Sequence, residues 1–278
     1  MEKIIQIDQL KKKAEEIRYD IIKMIAGAGS GHPGGSLSAA DIGAVLFFNE
    51  MNYDANNPEW KDRDKFILSK GHAAPLLYAL LAHAGFFERS ELKTLRKYKS
   101  RLQGHPASLM LPGVEVSTGS LGQGLSIASG IALAGKMDKK KYRVFTLLGD
   151  GELDEGQVWE AAMFAAHKKL ENLCAIVDRN RLQIDGDTEK VMALEPLKAK
   201  WDAFGWHTIL IDGHNIPDIL HAFEEFHTIK TKPTVIIAKT VKGKGVSFME
   251  NQAGWHGKAT DREQTEQALK EIKARINA

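Results

Sequence analysis

The sequence predicts an α/β fold in which a parallel sheet carries helices on both faces. Two observations predict it: short, almost continuously apolar segments recur along the chain, and segments with helical periodicity separate them. Strands buried on both faces read as unbroken apolar runs, and helices between them provide the crossover that parallel pairing requires. The predicted strands are 66–69, 143–148, 173–177, 206–211 and 234–238.

The helices are predicted from apolar residues spaced three and four positions apart. The first begins at Ile7 and ends in the glycine-rich run 27–31, where positive φ angles are inexpensive. Ser38 is expected to cap the second helix, 39–49. The other predicted helices are 74–85, 121–136, 158–169, 216–227 and a polar helix from Thr260 onward. No repeat or low-complexity linker divides the chain, so we expect one α/β domain over 1–278 with peripheral helices at each end.

Composition excludes several classes of protein. The chain has 278 residues, with 38 Lys plus Arg against 36 Asp plus Glu, and this balance gives no electrostatic reason to expect nucleic acid or an anionic membrane as partner. No apolar run approaches the roughly 20 residues of a membrane span, and the start shows no secretory signal. Cys174 is the only cysteine, which excludes an intrachain disulfide. These features are typical of a soluble, cytoplasmic protein.

Polar clusters follow three of the predicted strands. Gly71-His72 comes after the first strand, 149–151 after the second and 178–185 after the third. Parallel sheets bind ligands beyond the carboxyl ends of their strands. We therefore expect these clusters to meet at one edge and form a single site.

The run 149–156 has the composition of a diphosphate and metal loop. Glycines on both sides of Asp150 allow close approach of a phosphate, and the helix predicted behind the run adds its positive dipole end. Asp150, the Asn180 amide oxygen and the Leu182 carbonyl can supply three oxygen ligands to Mg²⁺, leaving the others to a diphosphate and water. A Gly-Asp-Gly run on its own is more often an ordinary turn, but the second loop favours the metal–diphosphate interpretation.

Two other glycine-rich segments do not match a phosphate motif. The run 119–124 opens a helix but lacks the spacing of a dinucleotide fingerprint and follows no evident strand. The run 242–245 lacks the upstream glycine and the Lys-Ser/Thr order of a P-loop. A mobile basic loop is the expected structure of 242–245.

Four histidines lie in glycine-rich loops: His32, His72, His105 and His256. A single loop histidine is as often a surface residue as a functional one. Four of them beside a diphosphate loop favour hydrogen bonding and acid–base chemistry on hydroxyls, carbonyls and phosphates. A histidine-bound zinc site is the rival interpretation, and no His-x-x-x-His or His-Glu-x-x-His pair supports it.

Together these motifs resemble those of the transketolase family. They occur in that family's order: Gly-His-Pro-Gly-Gly-Ser at 31–36, Ser-Lys-Gly-His-Ala at 69–73, Gly-His-Pro at 104–106, Gly-Ser-Leu-Gly-Gln-Gly at 119–124, Gly-Asp-Gly at 149–151 and Asn180-x-Leu182. The resemblance extends to Trp255-His256-Gly257, nearly the whole chain. The sequence resembles the N-terminal subunit of a split transketolase, which implies the thiamine diphosphate-binding fold and binding of the diphosphate of that cofactor.

The resemblance implies roles for individual residues. Asp150, Asn180 and the Leu182 carbonyl would hold Mg²⁺ or another divalent cation. The residues implied as cofactor-binding are His72, Gly119, Ser120, Leu121, Gly151, Glu155, Asn180 and His256. The residues implied as catalytic are His32, His72, His105 and His256, of which His32, His105 and His256 would face the sugar hydroxyls and the reacting carbon.

The sequence departs from the family's usual pattern at two positions. Transketolases often have Pro where this chain has Ser120, and another Asn where it has Arg179. Neither change removes a predicted metal ligand. Glu155 and Glu160 match acidic positions that lie near the subunit interface in the family, although a solvated or helix-capping carboxylate is the alternative for both.

The activity implied is transfer of a two-carbon ketol unit from a ketose phosphate to an aldose phosphate. In the family a second domain grips the aminopyrimidine ring of the cofactor, and this sequence shows neither that domain nor the C-terminal one. We therefore expect a partner subunit that carries the pyrimidine-binding domain, in a heterotetramer of two plus two. Two alternatives remain open: a transketolase-like enzyme of a side pathway acting on an unusual branched sugar phosphate, and a non-catalytic cofactor-binding scaffold.

Overall fold

The computed structural model describes residues 3–184 and 186–277. Its strands are β1 (Lys65–Leu68), β2 (Val144–Gly149), β3 (Leu173–Arg179), β4 (Leu182–Gln183), β5 (Gly186–Asp187), β6 (His207–Asp212) and β7 (Thr234–Lys239). Five of them form one sheet in the order β1-β2-β3-β7-β6, and every pair in it is parallel. The short strands β4 and β5 pair antiparallel as a separate ribbon. The predicted parallel sheet is confirmed.

Helices cover both faces of this sheet. They are α1 (Ile7–Ala28), α2 (Pro33–Ser38), α3 (Ala40–Val45), α4 (Ala74–His83), α5 (Gln123–Met137), α6 (Gly156–His167), α7 (Thr188–Val191), α8 (Leu197–Ala203), α9 (Ile216–Thr228) and α10 (Arg262–Ile276). Alternate residues of β2 belong to different apolar clusters. Phe145 and Leu147 pack with α1, α3, α4 and α9, whereas Val144 and Leu148 pack with α5, α6 and α8. Strands with two apolar faces therefore account for the unbroken apolar runs in the sequence.

The first helix ends where glycine permits it. Helix α1 stops at Ala28, and Gly29 adopts the left-handed conformation with φ of 64° while its N–H bonds back to the carbonyl of Ala26. The predicted stop in the run 27–31 is confirmed.

The predicted cap at Ser38 is wrong. Ser38 is the last residue of α2, and its hydroxyl donates to Oδ2 of Asp178 at 2.6 Å instead of capping a helix. The segment predicted as one helix over 39–49 is α3 followed by a π-helical turn, Leu46–Glu50. A buried carboxylate is costly to leave without donors, so the hydroxyl serves Asp178, and α3 begins without a side-chain cap.

The register of the sheet places several loops side by side. Gly149 at the end of β2 lies opposite Asp178 on β3, and Asp178 lies opposite Ala238 on β7. The loops that follow β1, β2, β3 and β7 consequently leave the sheet at one edge. Within 3–184 and 186–277, no helix is both long and apolar enough to cross a bilayer.

Candidate active site

The loops at the carboxyl edge of the sheet enclose a cleft with an empty volume of about 510 Å³. It lies against β2 and β3, where the sequence predicts a ligand site. Its wall includes these residues singled out from the sequence: His72, Leu121, Asp150, Gly151, Asn180, Leu182 and His256. The expectation that the polar clusters after separate strands come together is confirmed.

Asp150 lies at the floor of the cleft and is almost fully buried. Its Oδ1 accepts the Gly151 N–H at 2.9 Å, while Oδ2 accepts the Arg181 N–H at 2.5 Å and the Arg179 guanidinium at 3.1 Å. Burial, followed by the neighbouring Asp178 carboxylate, raises the pKa of Asp150 to about 6. The donors to Oδ2 fix the carboxylate in the fold and leave Oδ1 with a lone pair for the cleft.

Asp178 and Lys70 form a fully buried ion pair beside Asp150. The Lys70 ammonium donates to Oδ2 of Asp178 at 2.6 Å, and only 1% of the lysine and 0% of the aspartate side chain is exposed. Ser38 and Asn180 also donate to Oδ2, and Thr240 donates to Oδ1. Burial opposes ionisation of Asp178, but Lys70 and these donors lower its pKa. The pair therefore joins the strand ends to α2.

A hydrogen bond links Asn180 to Leu182 at the cleft. The amide of Asn180 donates to Asp178 at 3.0 Å, which orients Oδ1 away from Asp178 to accept the Leu182 N–H at 3.1 Å. The Leu182 carbonyl accepts the ammonium of Lys242 at 2.9 Å. One cleft is thus lined by three residues that carry oxygen atoms of the kind that bind a hard cation: Asp150, Asn180 and Leu182.

Lys242 does not belong to a mobile basic loop, so that prediction is wrong for this residue. It is 2% exposed, and its ammonium is shared between the Leu182 carbonyl and Nδ1 of His256, each 2.9 Å away. Burial lowers its pKa to about 8, against the opposing effect of the Asp150 and Asp178 carboxylates. The Asp150 and Asp178 carboxylates offset part of the cost of burying this cation. The glycines that flank Lys242 in the sequence give no indication of these carboxylates, which explains the wrong prediction.

Glu152 organises the backbone around the cleft. It is 2% exposed, and it accepts the N–H groups of Gly122 and Gly149, each at 3.0 Å, together with the Ser69 hydroxyl. One carboxylate therefore ties the loop after β1, the end of β2 and the start of α5 together.

Gly71 is required by the close packing of two loops. A Cβ on Gly71 would lie 2.6 Å from the backbone nitrogen of Gly119 and 2.6 Å from the carbonyl carbon of Thr118. Gly119 itself has φ of 142°, outside the range that other residues readily adopt. The run 119–124 is thus built for close approach to the loop after β1, although it is not a dinucleotide fingerprint.

The four loop histidines form one cluster. The ring centroid of His32 lies 5.3 Å from that of His72, 5.5 Å from that of His256 and 6.3 Å from that of His105, and His72 lies 5.1 Å from His256. Within the described residues, Nδ1 of His32 is buried and has no hydrogen-bond partner. A buried polar atom without a partner indicates a place where a ligand group completes the hydrogen bonding.

The histidines are neutral in this arrangement. Burial, followed by Arg96, His105 and Lys242, lowers the pKa of His32 to about 4, and burial, followed by Lys242 and His32, lowers that of His256 to about 3. The pKa values of His72 and His105 are also lowered, chiefly by burial. Because Lys242 donates to Nδ1 of His256, the ring proton of His256 resides on Nε2.

These shifts predict that the histidine cluster makes the fold sensitive to acid. Between the ordinary histidine pKa of 6.5 and about 4, unfolded His32 binds a proton that the folded state does not. The free energy of unfolding should therefore fall as the pH is lowered through this window. Urea unfolding at about pH 7 and about pH 5 measures the loss, which should be smaller in a His32→Asn variant. Equal losses in the variant and the wild type would contradict the prediction.

Several predicted residues lie outside the cleft wall. Ser120 and Glu155 are exposed, and His32, His105 and Gly119 are not among the residues that line the cleft. A Cβ on Gly119 would touch the ring of His105. Glu155 precedes α6 but makes no capping hydrogen bond, so the capping alternative is wrong for it. Asp185, the last residue of the cluster 178–185, lies outside the described residues.

Comparison with known proteins decides the family. The sequence matches the family described as "Transketolase, thiamine diphosphate binding domain" over residues 9–275. The chain belongs to the transketolase family. Thiamine diphosphate is accordingly the cofactor of this domain family, and the cleft fits its polar end: Lys70 and Lys242 supply buried ammonium groups, and Gly35 and Gly149 also line the wall.

Three relatives illustrate the extent of the match. The chain is 46% identical to transketolase of Homo sapiens over 274 residues, which is 98% of this chain but 43% of that protein. It is 43% identical to an apulose-4-phosphate transketolase subunit of Phocaeicola vulgatus, covering 98% of this chain and 96% of that protein. Its fold superimposes on the crystal structure of Campylobacter jejuni transketolase with a TM-score of 0.92 at 34% identity, covering 99% of this chain and 44% of that one. The chain thus spans less than half of the full-length transketolases.

Four charged residues for which the sequence predicted no role lie in this transketolase-family site. Lys70, Glu152, Asp178 and Lys242 all line the cleft, and each is at most 2% exposed. The sequence feature that could have identified these residues is their position, because each of them follows a strand of the sheet or lies at the end of one. Every charged residue at the carboxyl edge of a predicted parallel sheet is therefore worth treating as a candidate.

Proposed function

We propose that this chain is the thiamine diphosphate-binding subunit of a heteromeric transketolase, which transfers a two-carbon ketol unit from a ketose phosphate to an aldose phosphate. The observation that carries the proposal is the cleft, which is lined by residues with metal-type oxygen atoms, by two buried lysines and by His72 and His256. The ring of His32 packs against both of these histidines. The relative of nearly equal length from Phocaeicola vulgatus is named as one subunit of a transketolase, which supports the same conclusion.

A divalent cation, Mg²⁺ by preference, would be held by Oδ1 of Asp150, Oδ1 of Asn180 and the Leu182 carbonyl. Oxygen donors from a carboxylate, an amide and a carbonyl suit this ion, and diphosphate oxygens and water would complete its coordination. No three His, Cys, Asp or Glu side chains of the described chain form a ready metal site.

The other residues of the cleft would bind the diphosphate or act on the substrate, according to their charge. Lys242 would offset the negative charge of the diphosphate, whereas the charge of Lys70 is already paired with Asp178. Gly151 would allow the diphosphate to approach the backbone. The bound cofactor supplies the electron sink for breaking and forming the carbon–carbon bond. Nε2–H of His256 donates to a substrate oxygen, and the neutral rings of His32, His72 and His105 accept or donate protons as hydroxyls and carbonyls interconvert.

The partner is a second polypeptide that carries the pyrimidine-binding domain, and the assembly contains two copies of each chain. Exposed apolar side chains on α6, with Met163 at 59% and Phe164 at 38%, lie on the same helix as the exposed Glu160 and next to Glu155. A partner seated on this face would cover them. Residues 1–278 then act as one thiamine diphosphate domain, in a cytoplasmic enzyme of pentose phosphate metabolism.

Purification and assay of the complex test this proposal. The chain with its copurifying or adjacent-gene partner should catalyse ketol transfer between a ketose phosphate and an aldose phosphate. The chain alone should be slower by at least about a hundredfold, because the aminopyrimidine ring of the cofactor is not held in position without the partner's domain. Robust turnover by the isolated chain would contradict the heteromeric proposal.

A side-pathway substrate is the second candidate function. The name of the Phocaeicola vulgatus relative specifies apulose-4-phosphate, an unusual sugar phosphate. Comparing kcat/KM of the complex for a branched and an unbranched ketose phosphate decides between the two. A non-catalytic scaffold is distinguished by calorimetry, since it need not bind thiamine diphosphate in a Mg²⁺-dependent manner.

A further inference from the structure

His214 lies in the Asp-Gly-His-Asn turn after β6, and both of its ring nitrogens are engaged. Nε2 accepts the backbone N–H of Val241 at 2.8 Å, and Nδ1 lies 2.7 Å from Oδ2 of Asp41. A backbone N–H can only donate, so Nε2 must be unprotonated and Nδ1 must carry the proton that Asp41 accepts. The geometry thus fixes one tautomer of His214.

The acceptor Asp41 is held in its ionised form. Arg18, which is 2% exposed, donates to both oxygens of the Asp41 carboxylate. Burial opposes ionisation, but Arg18 and His214 lower the pKa of Asp41 to about 2. Arg18, Asp41 and His214 therefore form an ordered chain of donors and acceptors that ends at the main chain of Val241.

Val241 immediately precedes the cleft lysine. On the other side of Lys242, the N–H of Gly243 donates to the Gly34 carbonyl at 3.0 Å, so the backbone is held on both sides of this residue. The ammonium between them reaches the Leu182 carbonyl and His256. A shift of the backbone at Val241 would move this ammonium out of reach of both groups.

We infer that His214 is a positioning residue, which holds the main chain at Val241 so that Lys242 points into the cofactor cleft. It acts through Lys242 and does not itself line that cleft. Hydrogen bonds that orient a ligand-binding group typically affect affinity by about ten- to a hundredfold when removed. The expected effect on cofactor affinity rests on the proposed function, whereas the effect on the backbone does not.

The test compares His214→Leu with His214→Gln in the full chain. Glutamine can still accept from Val241 and donate to Asp41, whereas leucine can do neither. Amide hydrogen exchange should accelerate at Val241 and Lys242 in the leucine variant and stay near the wild-type rate in the glutamine variant. The dissociation constant for thiamine diphosphate with Mg²⁺ should rise about tenfold with leucine and less than about twofold with glutamine.

Two controls separate positioning from general destabilisation. His221→Leu alters an exposed histidine on α9 and should change neither measurement. In a Lys242→Met background, His214→Leu should cause no further loss of affinity, because the group that it positions is already gone.

Unchanged exchange at Val241 in the leucine variant would overturn the inference, and so would faster exchange with unchanged cofactor affinity. Should His214→Leu fail to fold, loss of affinity in a folded His214→Gln variant with wild-type exchange would also overturn it. A wild-type chain that binds no thiamine diphosphate contradicts the proposed function instead, and the exchange comparison then still decides whether His214 holds Val241.

Discussion

Replacing Asp150 with asparagine is expected to abolish the Mg²⁺-dependence of thiamine diphosphate binding and to weaken binding by about a hundredfold or more. The variant removes the only carboxylate in the proposed ligand set, and a neutral amide does not offset the charge of the ion. It also places an amide against the Arg179 and Arg181 donors, which require an acceptor. Calorimetric titration of the purified complex, with and without Mg²⁺, measures both effects.

A matched control is available at an exposed aspartate. Asp138→Asn changes a residue at the end of α5, outside the cleft, and should leave both affinities unchanged. Thermal unfolding of both variants shows whether they remain folded. If thiamine diphosphate binding still depended on Mg²⁺ in a folded Asp150→Asn variant, the prediction would be wrong and the cation would have other ligands.

Replacing Lys70 with methionine is expected to destabilise the fold by about 3–5 kcal/mol, because it leaves the Asp178 carboxylate buried without its cation. Ser38, Asn180 and Thr240 still donate to that carboxylate, so the chain should fold at reduced stability. Urea unfolding at about pH 7 measures the change in the free energy of unfolding.

The pH dependence distinguishes an unpaired charge from lost packing. Without its ion-pair partner Lys70, the pKa of Asp178 should rise, since burial is then opposed by neutral donors and by the charge of Lys242. The penalty should be smaller at about pH 5 than at about pH 7, because protonation of Asp178 removes the buried charge. Lys136→Met, which breaks the partly exposed pair with Glu171, should cost less than about 1 kcal/mol. An equal penalty for Lys70→Met at both pH values would contradict this explanation.

The sheet could be predicted from the sequence because its strands are apolar on both faces. The predicted strand 173–177 is observed as Leu173–Arg179, longer by Asp178 and Arg179. A prediction based on apolar residues ends this strand too early, because its last two residues are polar. They form hydrogen bonds with residues of the site instead of packing in the apolar core. Ser38 is wrongly predicted as a helix cap because only its local sequence was available. Its hydrogen-bond partner, Asp178, lies 140 residues away and cannot be recognised from neighbouring residues.

Residues of the site that belong to a recognisable motif could be predicted from the sequence, whereas the burial of its lysines could not. Gly-Asp-Gly, Asn-x-Leu and the glycine-flanked histidines have a local signature, and the cleft brings many of them together. Lys70 belongs to the Ser-Lys-Gly-His-Ala motif and Lys242 to a Lys-Gly-Lys-Gly run, but neither context predicts burial, since lysine is rarely buried without a partner. Their partners Asp178 and Leu182 lie 108 and 60 residues away, so only the folded chain reveals them.

The proposed site requires a cation that would be held by Asp150, Asn180 and Leu182 together with the cofactor diphosphate. This requirement can be tested with a crystal structure of the complex grown with thiamine diphosphate and Mn²⁺, because Mn²⁺ takes similar oxygen ligands and scatters anomalously. We expect an anomalous peak within about 2.3 Å of Oδ1 of Asp150, Oδ1 of Asn180 and the Leu182 carbonyl. Bound cofactor with no peak at these atoms, or a peak elsewhere, would contradict it.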